Sequence, residues 1–130
     1  MTRMLLLLVA VLSLTLAGRS VVAHHSETAE YDSTKPVKVT GTITRVEWLN
    51  PHVWFYVDVK EADGKVTTWG FSNAPPGALM RRGITKAALK IGAEVTVEGV
   101  RARDGSNNAS GRRVTYADGT NAFTATEGAK

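Results

Sequence analysis

The sequence predicts an all-β domain with one short helical insert, on three observations. Apolar and polar residues alternate in short runs, Asp-Gly and Asn-Pro pairs punctuate those runs, and one proline-containing stretch interrupts the alternation in mid-chain. The first strand is read at residues 37–48, where "KPVKVTGTITRVEW" places Val37, Val39, Gly41 and Ile43 on one face and then changes phase to Val46 and Trp48. A phase change inside a strand marks a β-bulge, so this strand should be long and bent. Asn50 and Pro51 form a turn. The second strand, "HVWFYVDV", sets Val53, Phe55, Val57 and Val59 against His52, Trp54, Tyr56 and Asp58 on the opposite face.

Asp63-Gly64 is a hairpin signal because this pair tolerates the positive φ angles of a tight turn. It leads to a third strand, "VTTWGFS". Pro75 and Pro76 then stop the sheet pattern, Thr85 reads as the N-cap of "KAALKI" and Gly92 as its stop, giving a short helix or two. "EVTVEGVRAR" is the fourth strand. Residues 104–111, "DGSNNASG", read as a polar loop without an apolar anchor, expected to be mobile. "RRVTYAD" is the fifth strand, and Asp118-Gly119 turns the chain into a last short piece around Phe123. Residues 125–130 read as a disordered tail.

Three strands, a helical insert and two strands follow the element order of a small OB-like five-stranded β-barrel with a long, bent first strand. Periodicity does not give strand order, so an SH3-like barrel or a small β-sandwich is the alternative.

Upstream, "MTRMLLLLVAVLSLTLAG" joins Arg3 to an uncharged apolar run that is shorter than the roughly 20 residues a permanent span needs. Val21, Val22 and Ala23 suit a signal peptidase. The expected organisation is a signal peptide at 1–23, an N-terminal extension at 24–36, the barrel domain at 37–124 and the tail. A cut after Ala17 and an uncleaved anchor are the competing readings. Cleavage after Ala23 makes His24 the first residue, in the periplasm or outside the cell, with no membrane span left.

The 16 basic residues outnumber the 12 acidic ones, but Arg3 and Arg19 leave with the signal. The remaining excess is small and the charges are mixed, which disfavours nucleic acid as a partner. With no cysteine, disulfides, thiolate metal sites and cysteine catalysis are excluded, and the domain must hold by core packing. A monomer is expected.

The phrases "HHS", "YD", "KPVKVTGTITRVEWLNPHVWFYVDV", "LKIGAEVTVEG", "DGSNNASG" and "VTYADG" together resemble a family of short exported bacterial proteins for which no function is established. The resemblance runs from about His24 to Phe123. It implies export and a compact β domain, and it implies no reaction.

Two functions are expected from the residues. The leading one is an exported, non-catalytic OB-like module that recognises a small ligand or a periplasmic protein partner through Trp48, Asn50, His52, Trp54 and Tyr56, near the turn that follows the first strand. Trp54 and Tyr56 with Trp48 read either as a stacking platform or, preferred for the aromatic burial it gives, as a patch packed under the helical insert. The alternative is a copper protein. A His24 that begins the chain offers an amine and an imidazole to Cu(II), with His52 as the third nitrogen and His25 as a substitute. The opposing readings are exposed terminal histidines that bind nothing and a His52 that only fixes its turn. The Arg81–Arg82 and Arg112–Arg113 pairs read as solvated surface. Glu27, Glu30, Asp32, Glu47 and Asp58 show no spacing diagnostic of acid–base catalysis.

Overall fold

The computed structural model describes residues 27–124. The expected signal, His24, His25 and the tail at 125–130 lie outside the described residues. Residues 27–30 are helical with exposed side chains, and the compact unit that carries the sheet begins at Tyr31. Its elements are β1 (Tyr31–Glu47), β2 (Trp54–Lys60), β3 (Val66–Ser72), α1 (Pro76–Arg81), a 3-10 turn (Lys86–Ala88), β4 (Glu94–Ala102), β5 (Asn108–Tyr116) and β6 (Asn121–Thr124). Antiparallel neighbours run in the order β3-β2-β1-β4-β5-β6, and a parallel pairing of β3 with β5 joins the first five strands into a barrel-like ring. The all-β reading with a helical insert between the third and fourth strands is therefore met. Among the described residues, no helix is long and apolar enough to cross a membrane.

β1 makes the ring possible because it serves two partners in succession. Its middle pairs with both neighbours at Thr42, against Asp58 of β2 and Glu94 of β4. The expected bulge lies where the phase changes, as a register shift between Ile43 and Arg45. It bends the strand from one partner toward the other. Gly41 sits beside this bend, where a Cβ would run into the main-chain carbonyl of Asp58. The strand starts at Tyr31, ahead of the expected residue 37. Tyr31 is buried with Val100 and Ala102 in a small cluster of its own, while the register jumps between Tyr31 and Pro36. Residues 32–35 thus loop out of the ladder, and Asp32 closes the excursion by accepting bonds from the Thr34 amide and hydroxyl at 3.0 and 2.7 Å. A lone aromatic followed by a proline gives no alternation to read.

The polar segment at 104–111 differs most from expectation. β5 begins at Asn108, Ala109 is fully buried and Ser110 is 7% exposed. These residues close the ring: Gly70, Phe71 and Ser72 pair in parallel with Asn108, Ala109 and Ser110. Small side chains are required there because β5 is held between β4 and β3. A Cβ on Gly99 would meet the Ser110 carbonyl, and one on Gly111 would press on Asn73 and Phe71 at 3.3–3.4 Å. The loop that remains is tied to Arg101, whose guanidinium donates to Ser106 O at 3.1 Å, Gly105 O at 2.8 Å and Asn107 Oδ1 at 3.3 Å.

Inside the ring, Ile43, Val53, Phe55, Val57, Phe71, Val95, Val97, Ala109 and Val114 are fully buried. Phe55 and Phe71, directly opposite each other, have ring centroids 5.2 Å apart. The insert contributes Leu79 and Leu89. Its α-helix starts at the prolines, with Pro76 at the first helical position, where no amide is needed. The stretch after Thr85 forms only the 3-10 turn, Thr85 makes no side-chain cap bond, and the turn is capped at Leu89, so Gly92, at φ 86°, belongs to the following turn and is not the expected stop.

Candidate functional site

The turn between β1 and β2 is built by its own polar groups. The Asn50–Pro51 peptide is cis, and the next residue, His52, donates from Nδ1 to the Asn73 carbonyl at 2.8 Å. Val53 then exchanges main-chain bonds with the segment after β3: its amide donates to Ala74 O at 3.2 Å and its carbonyl accepts from the Asn73 amide at 2.9 Å. His52 therefore has the turn-fixing contact, with an exposed ring. A histidine whose Nδ1 hydrogen is held by a carbonyl presents Nε2 as its acceptor and ligand nitrogen.

The five candidate binding residues differ in their surroundings. Trp48 is half-buried and packs against the main core, whereas Asn50 is exposed in the turn. Trp54 and Tyr56 lie on the other face of β2 from Phe55 and Val57 and are half-buried. They are not among the hydrophobic residues packed on the core, which corrects the preferred expectation of a patch under the helical insert. The reason is Gly70 of β3, directly opposite Tyr56. A Cβ there would lie 3.3 Å from Tyr56 Cε1 and 3.4 Å from Trp54 Cζ3, so the two ring edges lean over the bare glycine. Aromatic residues that cover a facing glycine shield its backbone and stabilise the sheet.

The result is an outer aromatic face. The Trp54 and Tyr56 centroids are 6.3 Å apart with planes 20° from parallel. The Arg45 guanidinium lies 3.8 Å from the Tyr56 centroid and pairs with Glu47 at 3.2 Å. The Tyr56 hydroxyl lies 3.5 Å from the same carboxylate, at the limit of a hydrogen bond. On the far side, Asn108 Oδ1 reaches to 2.5 Å from the position a Gly70 Cβ would take. Along β2, the Asp58 carboxylate accepts from the Thr68 hydroxyl at 2.7 Å. Rings, an amide, a hydroxyl and compensated charges thus share one strip. Such a surface can stack and hydrogen-bond.

Arg45, Gly70 and Asn108 escaped the sequence reading. Counting back from the Asp63-Gly64 hairpin, where Lys60 pairs with Val66, places Gly70 opposite Tyr56. The bulge moves Arg45 beside Tyr56. Nothing local signals Asn108, which arrives only when the ring closes. Asn73 was also missed. It is 8% exposed, and its Oδ1 is buried with no hydrogen-bond partner among the described residues.

Among the described residues, no group of three or more His, Cys, Asp or Glu side chains could hold a metal ion. A family model described as a family of unknown function, DUF6152, matches residues 10–112. No curated protein and no solved structure matches the chain.

Proposed function

For a chain that belongs to DUF6152, a family of unknown function, we propose, from its own geometry, an exported, non-catalytic binding module that stacks a neutral ring ligand, such as a sugar unit, on Trp54 and Tyr56. The carrying observation is the placement of two neighbouring rings on the outer face of β2, outside the core. Charge decides the ligand class. The Arg45 cation is balanced by Glu47, and Asp58 adds an anion to the same face. A polyanion gains little there, whereas the flanking amide, hydroxyl and carboxylates suit hydroxyl-rich rings. Export is supported by the basic, apolar and small-residue order of the first 23 residues; intact mass and N-terminal sequencing of the secreted protein test it.

Stacking on an aromatic side chain contributes about 1–3 kcal/mol per ring, so a single sugar should bind only at about millimolar strength. The test is therefore a titration followed by the indole N–H resonances, with cellopentaose, chitopentaose and an eight-residue oligothymidylate as probes. A neutral oligosaccharide should shift the Trp54 resonance saturably while leaving the core residue Trp48 in place, and Trp54→Ala should abolish the response. Binding of the oligothymidylate alone, or no response to either saccharide, overturns the reading.

The orientation of His52 favours a second reading, Cu(II) held by the amine and ring of a terminal His24 together with His52 Nε2. Copper titrations of the protein beginning at His24, the same protein extended by one Ala, and His52→Ala decide it. Both altered proteins should lose most of the affinity, and undiminished binding by the extended protein refutes the site.

A further inference from the structure

The chain holds no aspartate or glutamate from residue 64 to residue 93, and the insert between β3 and β4 sets Arg81, Arg82, Lys86 and Lys90 within that stretch. Lys90 lies over the Tyr116 ring, 5.3 Å from its centroid. Arg81, Arg82 and Lys86 are exposed, and among the described residues no carboxylate pairs with any of the three.

The fold holds these cations on the outside of the insert. Leu79 and Leu89 are buried in the main core and Ile84 packs on it, so the insert touches the barrel through three anchors. Between and after the anchors, residues 80–83, 85–87 and 90–92 are exposed. The insert is stitched down at both ends. Ala74 O accepts from the Val53 amide at 3.2 Å, while Ile43 donates to Ala93 O at 3.0 Å and accepts from the Gly92 amide at 2.7 Å. In between, the Tyr116 hydroxyl donates to Ala88 O at 2.8 Å. The same outer side carries two large apolar side chains, Met80 at 55% and Ile91 at 65% exposure.

Uncompensated cations beside exposed apolar side chains fit a lipid surface, which offers anionic headgroups to the one and the acyl boundary to the other. A nucleic acid or an acidic polypeptide satisfies the charges alone. We propose that the outer side of the insert docks on an anionic lipid bilayer, with Arg81, Arg82 and Lys86 among the headgroups and Met80 and Ile91 dipping beneath them. This surface is independent of the aromatic face.

The test is co-sedimentation of the full chain with vesicles of phosphatidylcholine alone and of phosphatidylcholine mixed with an equal part of phosphatidylglycerol. The first 23 residues are common to parent and variants, so differences among these proteins report the insert. The parent should prefer the anionic vesicles, and high salt should remove the preference. Arg81→Gln, Arg82→Gln and Lys86→Gln combined should weaken binding to the anionic vesicles by roughly a hundredfold, about fivefold for each cation, and leave phosphatidylcholine binding unchanged. Lys60→Gln with Lys65→Gln, at the hairpin end of β2 and β3 away from the Val53–Ala74 bond, should alter neither. Met80→Ser with Ile91→Ser should weaken anionic binding by about tenfold. In bicelles of the anionic mixture, a nitroxide-labelled lipid should broaden the amides of Met80, Gly83 and Ile91 and spare Gly64. No preference for the anionic vesicles, or a preference that survives the triple substitution, would overturn the site. So would broadening at Gly64 or Trp54 in place of the insert, a result read on the unaltered protein that needs no variant to fold. Retention on immobilised polyglutamate without any vesicle preference would assign the surface to an acidic polypeptide and also overturn it.

Discussion

Replacing Gly99 by alanine tests the closure of the ring at its tightest point. The new Cβ would fall on the main-chain carbonyl of Ser110, and no rotamer relieves a contact with backbone. β5 cannot simply recede, because Ser110 is paired on its other side with Ser72 of β3. The strands must part around the Gly99–Gly111 and Val100–Ser110 pairs. Overpacking of this kind costs about 1–3 kcal/mol, and weakening two ladder bonds adds about 1 kcal/mol each, so the total should be about 3–5 kcal/mol. For a domain of this size each kcal/mol lowers Tm by about 4–8 °C, and the variant should melt at least about 12 °C below the parent. Gly105→Ala is the comparison. Gly105 has φ 76° and open space where its Cβ would stand, so only backbone strain of about 1–2 kcal/mol applies. Urea titrations followed by tryptophan fluorescence and far-ultraviolet circular dichroism measure both. A Gly99→Ala cost under about 1 kcal/mol, or one no larger than that of Gly105→Ala, would show that the seam does not lock the sheet in the way argued.

Phe71→Ala should cost about 3–5 kcal/mol from the cavity alone, since Phe71 is fully buried against Phe55; a urea midpoint close to that of the parent would mean that the ring collapses onto the space. Arg101→Met removes the three bonds that hold residues 105–107, and amide exchange at Gly105 and Ser106 should quicken by roughly tenfold or more. Unchanged protection there would show that the loop holds itself. Asp118 titrates below the usual 3.8 because the Thr120 amide donates to its carboxylate at 2.8 Å, with the Lys90 charge a lesser cause. Its contribution to stability is therefore complete above the unfolded value and is lost as pH falls through the lower folded one. An NMR titration in which Asp118 protonates at or above 3.8 would contradict this.

The parts of the molecule legible in the sequence are those decided by neighbours in the chain. The alternation of Val53, Phe55 and Val57, the Asp63-Gly64 hairpin and the phase change after Ile43 each reflect contacts within one strand or one turn, and all three appear where expected. Element order and the helical insert follow from the same local signals. The candidate site was only half legible for the same reason. Trp54 and Tyr56 could be placed on the face opposite the core, but not what that face would meet.

Three features were decided by tertiary structure. Asn108, Ala109 and Ser110 read as a loop because Ser, Asn and Gly have little strand preference. They become a strand because β3 and β4 both need a partner with small side chains in that gap. Trp54 and Tyr56 find their cover in Gly70, which hairpin register supplies, and their polar neighbour in Asn108, which comes from a strand distant in the chain. Arg112 lines a groove because β5 carries one residue more than β4 opposite Glu98, a mismatch that exists only once the two strands are paired. Local pattern thus determined which residues face inward along β2. Long-range pairing decided which of the outward residues share a surface, because register between strands far apart in sequence leaves no periodic trace in either of them.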